Sequence, residues 1–73
     1  MSPEKLVRMA NQIATFFRSQ PREDQVERIA GHLRDFWAPS MRARLAEIAK
    51  AGGEGLDPLA LAATERLAEN NEG

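Results

Sequence analysis

Apolar residues recur three and four positions apart through most of this chain, the spacing that lines one face of an α-helix. The first such stripe is Leu6, Met9, Ala10, Ile13, Phe16 and Phe17. Ser2-Pro3-Glu4 ahead of it reads as a helix start: a hydroxyl to cap free backbone N–H groups, a proline suited to the first helical position, and an acid at the positive end of the dipole. Pro21 predicts a stop near Ser19-Gln20, because a residue that precedes proline disfavours helical dihedrals. A second stripe, Val26, Ile29, Ala30, Leu33, Phe36 and Trp37, repeats the first at a displacement of twenty residues. Two similar seams predict an αα-hairpin whose second helix begins near Pro21 or Arg22, with Glu23 and Asp24 in its first turn.

Ala38-Pro39-Ser40 interrupts the pattern directly after Trp37. A third helix is expected from Pro39 or Ser40 to about Lys50, turning Met41, Leu45, Ile48 and Ala49 inward. Gly52-Gly53 supplies the left-handed residue that closes a helix, and residues 51–55 read as a flexible linker. Leu56-Asp57-Pro58 opens a shorter fourth helix whose stripe, Leu59, Ala62, Ala63 and Leu67, is thin and rich in alanine. The expected fold is all-α: a small bundle built on an αα-hairpin, three main helices plus a short C-terminal one. Residues 1–69 form the single domain and residues 70–73 a disordered tail.

Composition narrows what such a bundle can be. With 73 residues and no cysteine, the chain has a small core and no disulfide to reinforce it. His32 is its one imidazole, so the usual structural zinc sets cannot be assembled, and no metal or cofactor site is expected. Stability must come from helix packing or from burial against a partner. A formal net charge of −1 supplies no field for nucleic acid or acidic lipid. No apolar run approaches the ~20 residues that span a bilayer, and the absence of cysteine makes the cytoplasm the default compartment. Charge is nonetheless uneven, since residues 53–73 hold five acids against Arg66 alone. That end can fold back on the basic first and third segments, or simply keep a tail soluble.

Catalytic chemistry finds little support. Ser2, Ser19 and Ser40 lie near expected helix ends, where capping accounts for them, and Thr15 and Thr64 complete the hydroxyls. His32 flanks Leu33 at the edge of the second stripe, a boundary position. Gly52-Gly53-Glu54-Gly55 lies between helices and lacks the Lys-Ser/Thr of a phosphate loop. Gly55-Leu56-Asp57-Pro58-Leu59 approaches a phosphopantetheine-carrier motif but has proline where serine is needed. A helix-turn-helix reader would require a basic recognition helix, whereas the second helix is mildly acidic.

Aromatic clustering is the unusual feature. Phe16-Phe17 and Phe36-Trp37 are adjacent pairs, and neighbours on a helix point about 100° apart. One member of each pair can enter the core while the other sits at the edge of the stripe. Part of this face, with Met41 and Arg42, is a candidate for docking on a partner.

The string from Lys5 to Ala14 followed by Phe16-Phe17, and then Ile29-Ala30, His32-Leu33, Phe36-Trp37, Pro39 and Met41-Arg42, resembles the delta subunit of NAD-dependent formate dehydrogenase. The likeness extends through Gly53–Leu59 and covers roughly residues 4–62. It implies a non-catalytic accessory subunit of a cytoplasmic enzyme, one that supports assembly or stability by packing on the large subunit. That large subunit carries a molybdenum (or tungsten) pterin cofactor and iron–sulfur clusters, and other subunits carry flavin and reduce NAD. The contact surface expected on this chain comprises Asn11, Gln12, Phe17, Trp37, Met41 and Arg42, with no nucleic acid or membrane involved. The alternatives are a transient maturation factor for cofactor insertion and a generic self-associating helical protein, which would oligomerise in isolation.

Overall fold

Local start signals, a cap with a proline or a proline alone, translate directly into three of the four helix starts. The computed structural model describes residues 2–20 and 23–71, arranged as α1 (Pro3–Arg18), α2 (Gln25–Phe36), α3 (Pro39–Lys50) and α4 (Pro58–Asn71), with no strand among the described residues. Ser2 caps α1: its Oγ accepts the Lys5 N–H at 3.2 Å, and Pro3 occupies the first turn. Asp57 does the same for α4, its Oδ1 accepting the Leu59 N–H at 2.9 Å. α3 begins at Pro39, with Ala38 rather than Ser40 in the capping position and no side-chain cap.

The second helix departs from expectation. Glu23 and Asp24 form a turn, and α2 begins at Gln25; Pro21 and Arg22 lie outside the described residues. Gln25 explains the delay. Its Nε2 donates to the carbonyls of Phe17 at 3.2 Å and Gln20 at 2.9 Å, so this side chain satisfies the end of α1 before its backbone turns helical. Ser19 closes the same end from within, its Oγ donating to the Phe16 carbonyl at 2.6 Å.

α3 ends in a Schellman motif. Gly53 N–H bonds to the Ile48 carbonyl at 2.9 Å and Gly52 N–H to that of Ala49 at 3.1 Å. Both glycines have positive φ, 116° and 64°. A Cβ on Gly53 would lie 2.8 Å from Leu61 Cδ1, so this turn sits directly over α4.

The core is formed by Leu6, Ala10 and Ala14 of α1, Ile29, Ala30 and Leu33 of α2, Leu45 of α3, and Ala60, Ala63 and Leu67 of α4, joined by Trp37. Leu6, Ile29, Leu33 and Leu45 are its largest fully buried side chains. Five alanines among these residues let helix backbones approach closely while adding little apolar area each. That close approach is greatest between α2 and α4, which share the most extensive contact in the bundle; the α1–α2 contact expected of a hairpin is smaller. Nor is the fourth helix short. At 14 residues it exceeds the 12 of α2 and of α3, and it continues to Asn71, into the segment expected to be a tail. Glu72 and Gly73 lie outside the described residues. Its buried face also differs by one position from the expected stripe: Ala60 and Thr64 are buried with Ala63 and Leu67, whereas Leu59 and Ala62 are only partly covered. Thr64 is tolerated there because its Oγ1 donates to the Ala60 carbonyl at 2.7 Å. No helix among the described residues is long and apolar enough to cross a membrane.

Candidate functional site

The closed end of α1 and the last two turns of α2 together present an aromatic surface. Arg28, His32 and Phe36 lie four residues apart on α2, and that spacing places them in one row. Phe17 of α1 leans on this row: its ring centroid is 6.2 Å from that of His32 in an edge-on arrangement, and Arg28 Cζ is 5.8 Å from the same ring. His32 in turn lies 4.7 Å from Phe36, and Phe16 meets Phe17 edge-to-face at 5.2 Å. Such contacts fix ring orientations beyond what area burial alone would do. A cleft of about 370 Å³ opens among them, lined by Met9, Gln12, Ile13, Phe16, Phe17, His32 and Trp37.

An adjoining groove of about 890 Å³ runs along α1 past Pro3, Val7, Arg8, Asn11, Gln12 and Thr15, with Ile48 and Glu54 on its far side. Gln12 lines both hollows. The far wall is held by Asn11, whose Nδ2 donates to the Gly55 carbonyl at 2.9 Å while its Oδ1 accepts the Asp57 N–H at 2.8 Å. Arg18 adds a salt bridge to Asp57. That guanidinium hydrogen bond, helped by the Leu59 N–H, holds the Asp57 carboxyl below the ordinary carboxylate range against the opposing effect of desolvation. The glycine-rich segment expected to be a flexible linker is therefore tied to α1 at Gly55, and Asp57 two residues on, an acid of residues 53–73, folds back on the basic first helix. A further ion pair, with the charges reversed, joins Arg66 of α4 to Glu27 of α2 at 2.5 Å.

The six residues expected to meet a partner divide between four places. Gln12, Phe17 and Trp37 line the cleft. Asn11 is spent on the internal clasp just described. Met41 packs half-buried against the core, and Arg42 lies in a separate shallow depression beside Pro39, Ala46 and Leu67, its Nε buried without a hydrogen-bond partner. Trp37 is only 7% exposed. It belongs to the core, at the point where the extended backbone of this residue, φ −93° and ψ 141°, leaves the helical path. The exposed members of the aromatic pairs are the other two, Phe16 at 58% and Phe36 at 75%. The 100° offset between neighbours signalled that one of each pair would face out; which one depends on where α4 and α1 cover α2.

Four of the five hydroxyls are engaged locally. Thr15 Oγ1 donates to the Asn11 carbonyl at 2.9 Å, and Ser2, Ser19 and Thr64 make the contacts given above. Among the described residues no group of three or more His, Cys, Asp or Glu side chains is placed to hold a metal ion.

Comparison with known proteins gives one result. A family model described as NADH-dependent formate dehydrogenase delta subunit FdsD matches residues 5–64, from the first turn of α1 to the middle of α4. No curated protein and no solved structure matches the chain.

Proposed function

This chain belongs to the formate dehydrogenase delta subunit family, and on that basis we propose that it is a non-catalytic accessory subunit of a cytoplasmic NAD-dependent formate dehydrogenase. It packs on the large molybdenum-cofactor subunit and supports assembly or stability of the complex. The pterin cofactor, with molybdenum or tungsten, the iron–sulfur clusters, the flavin and the NAD site reside in the partner subunits. The observation that carries this reading is the family match, which spans all of α2 and α3, most of α1 and half of α4.

The chain's physical character supports it. A bundle whose core relies on alanine gains little burial energy of its own, so docking on a larger subunit supplies apolar burial that the isolated fold lacks. Two phenyl rings held outward beside an apolar cleft provide a surface suited to that docking.

Copurification from the native host tests the proposal. A tagged chain should remain stoichiometric with active formate dehydrogenase through gel filtration, and deletion of its gene should lower recovery of the assembled complex. A chain that binds only during cofactor insertion would be absent from the mature enzyme, which would replace the permanent-subunit reading with a maturation role.

A further inference from the structure

We propose that the aromatic row of α1 and α2, Phe16, Phe17, His32 and Phe36 with Arg28 at its edge, is the face on which this chain meets its complex. Its occupant is an apolar strip bordered by a carboxylate on another subunit. The inference rests on the reading of the chain as a formate dehydrogenase subunit.

Three observations single out this face. Phe16 and Phe36 are the exposed large hydrophobics among the described residues, and both lie here. Their rings are already oriented by neighbours, Phe16 by Phe17 and Phe36 by His32, so docking orders few new torsions. Charge supplies the third. Arg18, Arg34 and Arg66 pair with Asp57, Asp35 and Glu27; Arg28, like Lys5, Arg8, Arg42, Arg44 and Lys50, makes no salt bridge to a described carboxylate, and it lies at the edge of the row, over the Phe17 ring. A cation at the edge of an apolar patch is matched by an acid on the opposing surface.

Area counts against a second copy of this chain paired through the two exposed rings alone. A phenylalanine side chain offers roughly 200 Å², so the exposed fractions of the two rings amount to about 270 Å². A stable interface removes about 800 Å² from each partner. Two-fold pairing of these two rings alone falls well short, so the occupant must also cover ground beyond them, across Gln12 into the adjoining groove of α1, as a larger subunit can.

The test is coexpression of the whole complex with a tag on the largest subunit, comparing the native chain with a Phe16→Ser/Phe36→Ser double variant and with Arg28→Glu. Helical circular dichroism and gel filtration of each isolated full chain accompany it. The double variant should keep its helical signal and lose at least about tenfold in recovery with the complex. Arg28→Glu should lower recovery and remove much of its dependence on salt. Undiminished recovery of a folded double variant overturns the assignment of the face while leaving the subunit reading intact. If the double variant does not fold, Arg28→Glu decides alone: recovery equal to the native chain's refutes the face. An isolated chain that dimerises through these phenylalanines, with complex recovery unchanged, makes a second copy the occupant and likewise refutes the inference. Failure of the native chain to copurify with any other subunit instead removes the subunit reading on which the inference stands.

Discussion

Replacing Asn11 with alanine isolates the contribution of the clasp between α1 and the turn before α4. Its amide makes two hydrogen bonds across a sequence separation of more than forty residues, to the Gly55 carbonyl and from the Asp57 N–H. Each such bond contributes about 0.5–1.5 kcal/mol net, and the loss leaves the partly buried Asp57 N–H without its acceptor, so the expected cost is about 1–3 kcal/mol. For a domain of this size that lowers the midpoint of thermal unfolding by roughly 5–20 °C. Thermal and urea denaturation followed by circular dichroism, checked for coincident transitions, measures it. Asn11→Asp sharpens the comparison: it keeps an acceptor for Asp57 but turns an oxygen, in place of a donor, toward the Gly55 carbonyl. It should therefore recover little of the loss at neutral pH. A midpoint for Asn11→Ala within about 1 °C of the parent would refute the clasp as a stabilising element. If recovery with formate dehydrogenase fell at the same time, the amide would instead be a partner contact.

Other expectations follow from single positions. Trp37→Ala removes a core indole and should cost about 3–5 kcal/mol, comparable with the whole stability of a small domain, so its helical signal at 25 °C should be largely lost. Glycine-to-alanine changes should differ in sign. Gly31 lies inside α2 with only Arg34 Nη2 near its missing Cβ, at 3.5 Å, and Gly31→Ala should stabilise by about 0.5–1 kcal/mol. Gly53→Ala, at φ 64° and against Leu61, should destabilise by about 1–2 kcal/mol; paired urea titrations read both. The Asp57 carboxyl is held below its ordinary range by Arg18, so its stabilisation is complete above that range and is lost as the pH falls through it toward the folded value. Thermal midpoints below about pH 4 should therefore decline more steeply for the parent than for Arg18→Gln.

Helix number and most boundaries were readable because each rests on short-range chemistry. Ser2-Pro3 and Asp57-Pro58 mark starts by local bonding, Pro39 by its fixed φ, and Gly52-Gly53 marks a stop by its backbone freedom. The start of α2 was not readable, because Gln25 is recruited by carbonyls of the preceding helix, a contact that no local pattern encodes. α4 was underestimated for a related reason. Its alanines read as a weak stripe when judged by apolar area, yet small side chains are what permit its close approach to α2, and Thr64 enters the buried face by bonding back to its own helix. The candidate contact surface shows the same division. The two aromatic pairs were visible as pairs, and Gln12 and Phe17 do line the cleft. The choice between Phe36 and Trp37 depended on where α1 and α4 cover α2, and the fate of Asn11 on a turn far along the chain. Tertiary placement, not residue type, settled both.

The glycine-rich turn has a practical corollary for anyone engineering this protein. Among four helices, a stretch reading Ala-Gly-Gly-Glu-Gly is where a fluorescent label or affinity epitope would ordinarily be spliced in. Here it works as a buckle, with Gly53 seated on Leu61 and the next residues strapped down by α1. Added sequence at that point would pry the first and last helices apart, so a reporter belongs elsewhere on the molecule.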